Sequence, residues 1–410
     1  MEDNLGKRLK QELENLNSLG ADPSGGLSRL LYSKSWVEAQ EYVETRMEEI
    51  GMHTFYDEVG NLFGRIEGTS HANEVIMTGS HIDTVANGGS LDGQYGVIAA
   101  YLAVQLLKEQ CGDPKRSIEV VSLAEEEGSR FPYAFWGSKN LVKTAEASDV
   151  KDARDRDGIK FTDAMKESGF DFRKNDRRRE DIKAFLEIHI EQGSVLEKEE
   201  KQIGVVTGIV GQQRYTITLK GQANHAGTTP MGYRKDAVYA FSKIVSEAIE
   251  KAEKEGDPLV LTFGRVDPKP NTVNVVPGEV TFSIDCRHTD KATLKSFTHN
   301  LIADIKQTVD DMDMDVEIDH WMDESPVPMD EKIINIIKEA AEEGEYSYKI
   351  MPSGAGHDAQ IIAPYYPTGL VFVPSIDGIS HNPDENTKLV DLVEGVKIFA
   401  DTLYKLAYEN

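Results

Sequence analysis

The sequence predicts an α/β domain, a mixed sheet flanked by helices, interrupted by an inserted α+β unit of ferredoxin-like layout. Helical and strand patterns alternate over residues 30–130 and resume after residue 330. Between residues 211 and 327 the order reads βαββαβ, the split-βαβ arrangement with helices on one sheet face. The chain has 410 residues, and a single core stops growing near ~250–300, so two domains are the default. The boundaries place a first segment of the α/β domain at 1–210, the insertion at 211–327 and the returning segment at 328–410.

Trp36 to Ile50 has the spacing of an amphipathic helix, and Val75-Ile76-Met77 is a short buried strand ending at Gly79. Tyr95 to Gln110 has helical length and apolar content, and Ile118 to Leu123 is a second apolar strand. Residues 146–182 are densely charged, with Arg177-Arg178-Arg179 inside an acidic stretch, and read as solvated helices and loops. In the insertion, Tyr215, Ile217 and Leu219 alternate with polar residues, the mark of a half-buried strand. Arg234 to Glu253 is a long helix and Leu259 to Val266 a strand. Pro277-Gly278 signals a turn before the alternating Val280, Phe282, Ile284 and Cys286. Ala292 to Met312 is a helix and Val316 to Trp321 the last strand of the unit. Ile333 to Glu342, Gly369 to Val373 and Leu389 to Ala407 then read helix, strand, helix.

Composition excludes several function classes. The net charge is −26, from 45 basic and 71 acidic residues, so a phosphate backbone would be repelled and nucleic acid is not an expected partner. The longest apolar run, Val97 to Val104, is far short of the ~20 residues that span a bilayer. The polar N-terminus lacks an apolar signal-peptide core, so a cytoplasmic protein without membrane partners is expected. Two cysteines are too few for a disulfide framework; free thiols in a reducing compartment are the main reading, one structural pair the other.

Three clusters carry the chemical signal. Gly79-Ser80-His81-Ile82-Asp83 follows a buried strand, Leu91-Asp92-Gly93-Gln94 leads into a helix, and Ala124-Glu125-Glu126-Glu127-Gly128 follows a second buried strand. Open α/β sheets place ligand sites at strand ends. His189 lies in a strand-like run, and His381 in a loop after a late strand. Taken singly, each has a structural reading: a hydrogen-bonded histidine, an exposed acidic run, an Asp-Gly turn. Together, three glutamates crowded beside Asp83 and Asp92 would repel strongly unless cations compensate. Divalent metals held by imidazole and carboxylate are the natural compensation.

The segments GSHIDT, LDGQYG, AEEEGSRF, EIHIEQG, NHAGTTPMGYRKDA and ISHNPDE resemble the dinuclear-metal family of aminoacylases, carboxypeptidases and carbamoylases. The similarity runs from GADPSGG through PSGAGHDAQ to the last helix. It implies a metallopeptidase-like catalytic domain whose insertion serves as lid and dimerisation domain, and hydrolysis of a ureido or amide C–N bond in a small carboxylate-bearing substrate. It implies two divalent ions per subunit, Zn or Mn: Asp92 bridges them, His81 and His189 complete one site, and Glu127 and His381 the other. It makes Glu126 the general base, ahead of Glu125, and gives Asp83 the task of orienting the His81 ring. Because strand alternation would send Glu126 and Glu127 to opposite faces, a loop or bulge is expected there.

The same resemblance implies that His225 donates to the tetrahedral oxyanion, often across a dimer interface, and also touches substrate. Arg287 has the parity opposite to the apolar face of its strand, and Gln212 shares the polar parity of Arg214. Solvent and a substrate cleft both satisfy that parity; the resemblance selects the cleft or a dimer interface, with Arg287 pairing with the substrate carboxylate. Asn274 and Gln212 then hold polar groups, Gln192 contacts the ureido head, and Gly356 and His357 supply backbone donors. A non-catalytic binding protein on the same scaffold would be expected to lack a ligand or the base, and none is missing here.

Overall fold

Short apolar runs without alternation mark strands covered on both faces, and three such runs lie in the centre of the first unit's sheet. The computed structural model describes residues 2–409, and the chain divides into two units, 1–207 with 329–410 and, separately, 208–328. In the first unit Arg116–Leu123, His71–His81, Ile182–Ile190 and Thr368–Val373 lie side by side in parallel. Antiparallel Leu62–Ile66 and His53–Tyr56 extend one side, and antiparallel Ile203–Ile209 the other, so the sheet is mixed. Parallel strands finish along a common edge, and the register brings the finishing residues level. His81 lies opposite Leu123, and His189 opposite Phe372.

Gln94–Cys111, buried along most of its length, packs on His71–His81 and Ile182–Ile190 beside the closing helix Leu389–Ala407. Glu2–Ser18 and Glu331–Glu343 pack against Leu389–Ala407. Lys34–Glu49, whose first turn is capped by the Ser33 hydroxyl accepting from the Trp36 N–H, packs on Leu62–Ile66. The strand read from Val75 to Met77 runs from His71 to His81 and continues through Gly79. There φ is +147°, and a Cβ would overlap the Val121 carbonyl oxygen, so glycine permits the close approach rather than ending the strand.

The charged stretch 146–182 holds the short helices Ala147–Val150 and Phe161–Glu167, but not all of it is a wet face. Arg179 pairs with the buried Glu119 and with Asp181, and Arg178 lies over the Tyr365 ring.

The second unit is an antiparallel sheet in the order Val266–Lys269, Glu279–His288, Gly211–Lys220, Asp315–Glu324, with the helices Ala237–Glu255 and Lys291–Asp311. Tyr215, Ile217, Leu219, Val280, Phe282, Ile284 and Cys286 share a core with Ala240, Ile244, Leu301 and Ile305 from those helices. This is the ferredoxin-like layout. The single strand expected from Leu259 to Val266 is broken: Val260–Thr262 and Val266–Lys269 both pair with Glu279–His288, and Arg265 exchanges hydrogen bonds with Ser283 between them. The first helix starts at Ala237, because the Asp236 carboxylate caps Val238 and Tyr239. Cys111 and Cys286 are free thiols, and no described helix is long and apolar enough to cross a membrane.

Candidate metal centre

Five of the residues singled out above meet at the carboxyl edge of the first unit's sheet. His81 ends one strand, and His189 lies one residue before the end of the neighbouring one. Glu127 follows Arg116–Leu123, and His381 lies in the loop after Thr368–Val373. Asp92 sits in the turn before Gln94–Cys111. Its two carboxylate oxygens face different partners. Oδ1 is 3.1 Å from His189 Nε2 and 3.9 Å from His81 Nε2. Oδ2 is 3.1 Å from His381 Nε2, which is itself 3.4 Å from Glu127 Oε2. Two triples, His81–Asp92–His189 and Asp92–Glu127–His381, each gather ligand atoms within 4.8 Å of one another and share one carboxylate.

Local backbone makes this possible. Gly93 has φ +66°, and a Cβ there would overlap the His81 ring. Glu125, Gln192 and His381 hold positive φ values of 60°, 56° and 54°, a cost that non-glycine residues bear mainly where surrounding structure imposes it. At Glu125 that conformation makes the expected break in strand alternation. The Asp83 carboxylate then accepts from the backbone N–H groups of both Glu126 and Glu127, at 3.1 and 3.2 Å. The His81 Nδ1 lies nearer the Asp83 carbonyl (3.0 Å) than its carboxylate (3.6 Å). Asp83 therefore orients the glutamate turn through its side chain and the His81 ring chiefly through its backbone.

The electrostatics fit cations. Burial and neighbouring carboxylates push Glu126 well above the usual carboxylate range and Glu127 up to about 7. Asp92, despite burial, is held well below that range by hydrogen bonds from His189 and His381. Its bond to Asp92 raises His381 to about 9. The buried Glu127 Oε1 has no hydrogen-bond donor, and buried acceptors are rarely left so. A mixed imidazole and carboxylate donor set with an orphaned anionic oxygen suits divalent zinc or manganese. Glu126 Oε2 stands 3.8 Å from His81 Nε2, beside both triples and in neither.

Of the remaining candidates, Gln192 and His357 join the centre, and Arg287, Gln212, His225 and Asn274 belong to the second unit. Gln192 lies at the centre, its amide nitrogen 3.0 Å from Asp92 Oδ2 and its Oε1 buried without a donor. The His357 ring is buried, edge-on to His189 at 4.6 Å, with Nε2 3.1 Å from Ser353 Oγ, so it braces the His189 ring; Gly356 and His357 lead into the short helix Asp358–Ile362. In the second unit, Arg287 pairs across strands with Gln212 and is held by Asp285 through Nε at 3.0 Å and Nη2 at 2.9 Å. Gln212 donates to Glu324 at 3.1 Å. His225 and Asn274 are exposed on and beside the two-stranded ribbon Asn224–His225 with Val275–Val276, where the Asn274 carbonyl accepts from Ala226.

Sequence reasoning missed Glu385. Its carboxylate accepts from the Leu91 and Asp92 N–H groups at 2.8 and 3.0 Å and from Ser380 Oγ at 2.8 Å, tying the Asp92 turn to the His381 loop. The signal was present, since Glu385 closes the ISHNPDE segment, but nothing about an acidic loop residue says which N–H groups it will meet.

Residues 77–405 match the family described as Peptidase family M20/M25/M40. The chain is 56% identical over 403 residues to the allantoate amidohydrolase of Escherichia coli strain K12, covering 98% of each chain. It is 48% identical to the allantoate amidohydrolase of Bacillus subtilis strain 168, covering 97% of this chain and 96% of that one. Among solved structures, an amidase of the hydantoinase/carbamoylase family from Burkholderia multivorans superposes with a TM-score of 0.93 at 33% identity, covering 98% of both chains.

Proposed function

The chain belongs to peptidase family M20/M25/M40, and on that premise we propose that it is a two-metal amidohydrolase converting allantoate and water to ureidoglycine, ammonia and carbon dioxide in purine catabolism. The observation that carries the chemistry is Asp92 turning one oxygen to His81 and His189 and the other to His381 and Glu127. Those five residues would hold two divalent ions, zinc or manganese. Bound there, such a pair lowers the pKa of water to roughly 7 and polarises a carbonyl oxygen.

The protein's own groups do the rest. Glu126 takes the proton of the attacking water and returns it to the leaving nitrogen as the C–N bond breaks. Its place beside the two triples and its raised pKa suit an acid–base group, worth about 10²–10⁴-fold. Gln192 offers Oε1 to a ureido N–H. In the inserted unit, Arg287 pairs with the substrate carboxylate, Gln212 and Asn274 hold its polar arms, and His225 donates to the oxyanion, an interaction worth about 2.7–4 kcal/mol in comparable sites. The Gly356–His357 turn adds backbone donors. The exposed Met231, Tyr233, Tyr239 and Val273 of that unit support dimerisation through it. The cytoplasm is the compartment we assign.

Ammonia release from allantoate by the manganese-loaded protein tests the substrate. Absence of release, with turnover of N-carbamoyl-L-amino acids or ureidoglycolate instead, would replace allantoate while leaving the metal chemistry in place. An N-carbamoyl-L-amino acid hydrolase or ureidoglycolate amidohydrolase is the second reading, and the likeness to an amidase of the hydantoinase/carbamoylase family supports the carbamoyl-cleaving class.

A further inference from the structure

Arg29 is fully buried in the first unit and bonds to the two segments that carry His81, Asp83 and Asp92. Its guanidinium donates through Nε to the Leu19 carbonyl (2.9 Å), through Nη1 to the Ile82 carbonyl (3.0 Å) and to Gln94 Oε1 (2.7 Å), and through Nη2 to the Leu16 carbonyl. Its backbone N–H donates to Thr84 Oγ1 at 2.9 Å, and its carbonyl accepts from the Thr84 N–H at 3.1 Å. All four guanidinium acceptors are neutral oxygens. Burial lowers its pKa only to about 9, so it is a cation at neutral pH, and Asp83 is the charge that favours that state.

Placing a cation in a core costs several kcal/mol, and an apolar residue of similar volume often serves stability as well or better. What an apolar residue cannot do is bond several elements at once from one rigid plane. Ile82 lies between His81 and Asp83. Gln94 lies two residues after Asp92 and also donates to the Ser90 carbonyl and to Asn17. The guanidinium therefore joins the turn that follows the His81 strand to the loop that presents Asp92, and anchors both to the end of Glu2–Ser18.

We infer that Arg29 is a positioning residue for the metal centre, holding the 81–84 turn and the 90–94 loop in their ligating arrangement before any cation arrives. The inference rests on His81 and Asp92 being metal ligands. Isothermal titration of manganese into chelator-treated, dialysed protein tests it, comparing wild type with Arg29→Lys and Arg29→Met. Val43→Ala, a core truncation in Lys34–Glu49, is the control for stability alone. Both Arg29 variants should bind manganese about 10–100-fold more weakly, the range seen for groups that support metal ligands. Val43→Ala should lower Tm and leave affinity unchanged. Wild-type affinity in folded Arg29→Lys overturns the inference. If neither Arg29 variant folds, Gln94→Leu decides, since it keeps the arginine and removes one acceptor: weaker binding supports the role, and unchanged binding ends it. Wild-type protein that takes up neither manganese nor zinc would instead sink the metal reading itself.

Discussion

Glu125, Glu126 and Glu127 are adjacent in sequence and sit in three different environments. The left-handed backbone at Glu125 buries its side chain near Asp83 and leaves Oε1 without a donor. Glu127 reaches His381, and Glu126 stands beside the His81 ring. Alternation alone would have split Glu126 from Glu127 across the sheet, so the need for a bulge was legible; which glutamate would take the strained conformation was not. That choice depends on Asp83 accepting both following N–H groups, a contact between residues 43 and 44 positions apart. Replacing Glu126 by Gln keeps shape and removes the proposed base. Bound metal, measured by elemental analysis, should remain at the wild-type level while kcat falls by about 10²–10⁴. A variant with wild-type turnover would remove Glu126 from the reaction.

At the scale of elements, the parallel strands explain why the ligands converge, and the apolar runs that predicted three of them were plain in the sequence. Their order in the sheet was not, because adjacency depends on side-chain packing that no local pattern encodes. Element ends were likewise set by single contacts, such as the Asp236 cap and the Ser283–Arg265 exchange. The start of Gln94–Cys111 shows how tightly an element can be tied to the site. Gly93→Ala must hold alanine at positive φ, at about 1–2 kcal/mol, and must push the His81 ring aside. Metal stoichiometry should drop from two toward one, with the His81–His189 position emptied; two tightly bound ions in the variant would show that the ring has slack. In the strand Glu279–His288, Asp285 grips Arg287 bidentately and fixes the plane of its fork. Parity placed Arg287 opposite the apolar core, as the alternating burial of that strand has it, but parity said nothing of Asp285. Arg287→Lys keeps the charge and loses the fork, so KM should rise about ten- to a hundredfold, matching a charged hydrogen bond of about 1.5–3 kcal/mol, with kcat little changed. Equal KM values would free Arg287 from the substrate.

For the whole molecule, the legible fact was charge: a net −26, with Asp83 and the run Glu125-Glu126-Glu127 falling just after predicted strand ends and Asp92 just before a predicted helix. Illegible was the internal cation, Arg29, because one arginine among Leu27, Leu30 and Leu31 looks no different from a surface residue on a helix. The two units have separate cores, one built from residues of 1–207 and 329–410 and the other from residues of 208–328. All five proposed ligands belong to the first. Ions bound at a hundred times their Kd stabilise a folded state by about 2.7 kcal/mol each, and removing them also exposes Asp92, Glu126 and Glu127 to mutual repulsion. A kilocalorie shifts Tm by about 2–4 °C in domains of this class. Chelation should therefore lower the first unit's melting transition by about 10–20 °C in scanning calorimetry and leave the second unit's transition in place. Readdition of manganese or zinc should restore it, and magnesium at equal concentration should not, since imidazole ligands suit the transition ions better than magnesium. A melting profile indifferent to chelator would mean that the acidic edge holds itself together without cations, and the bridging role of Asp92 would fall with it.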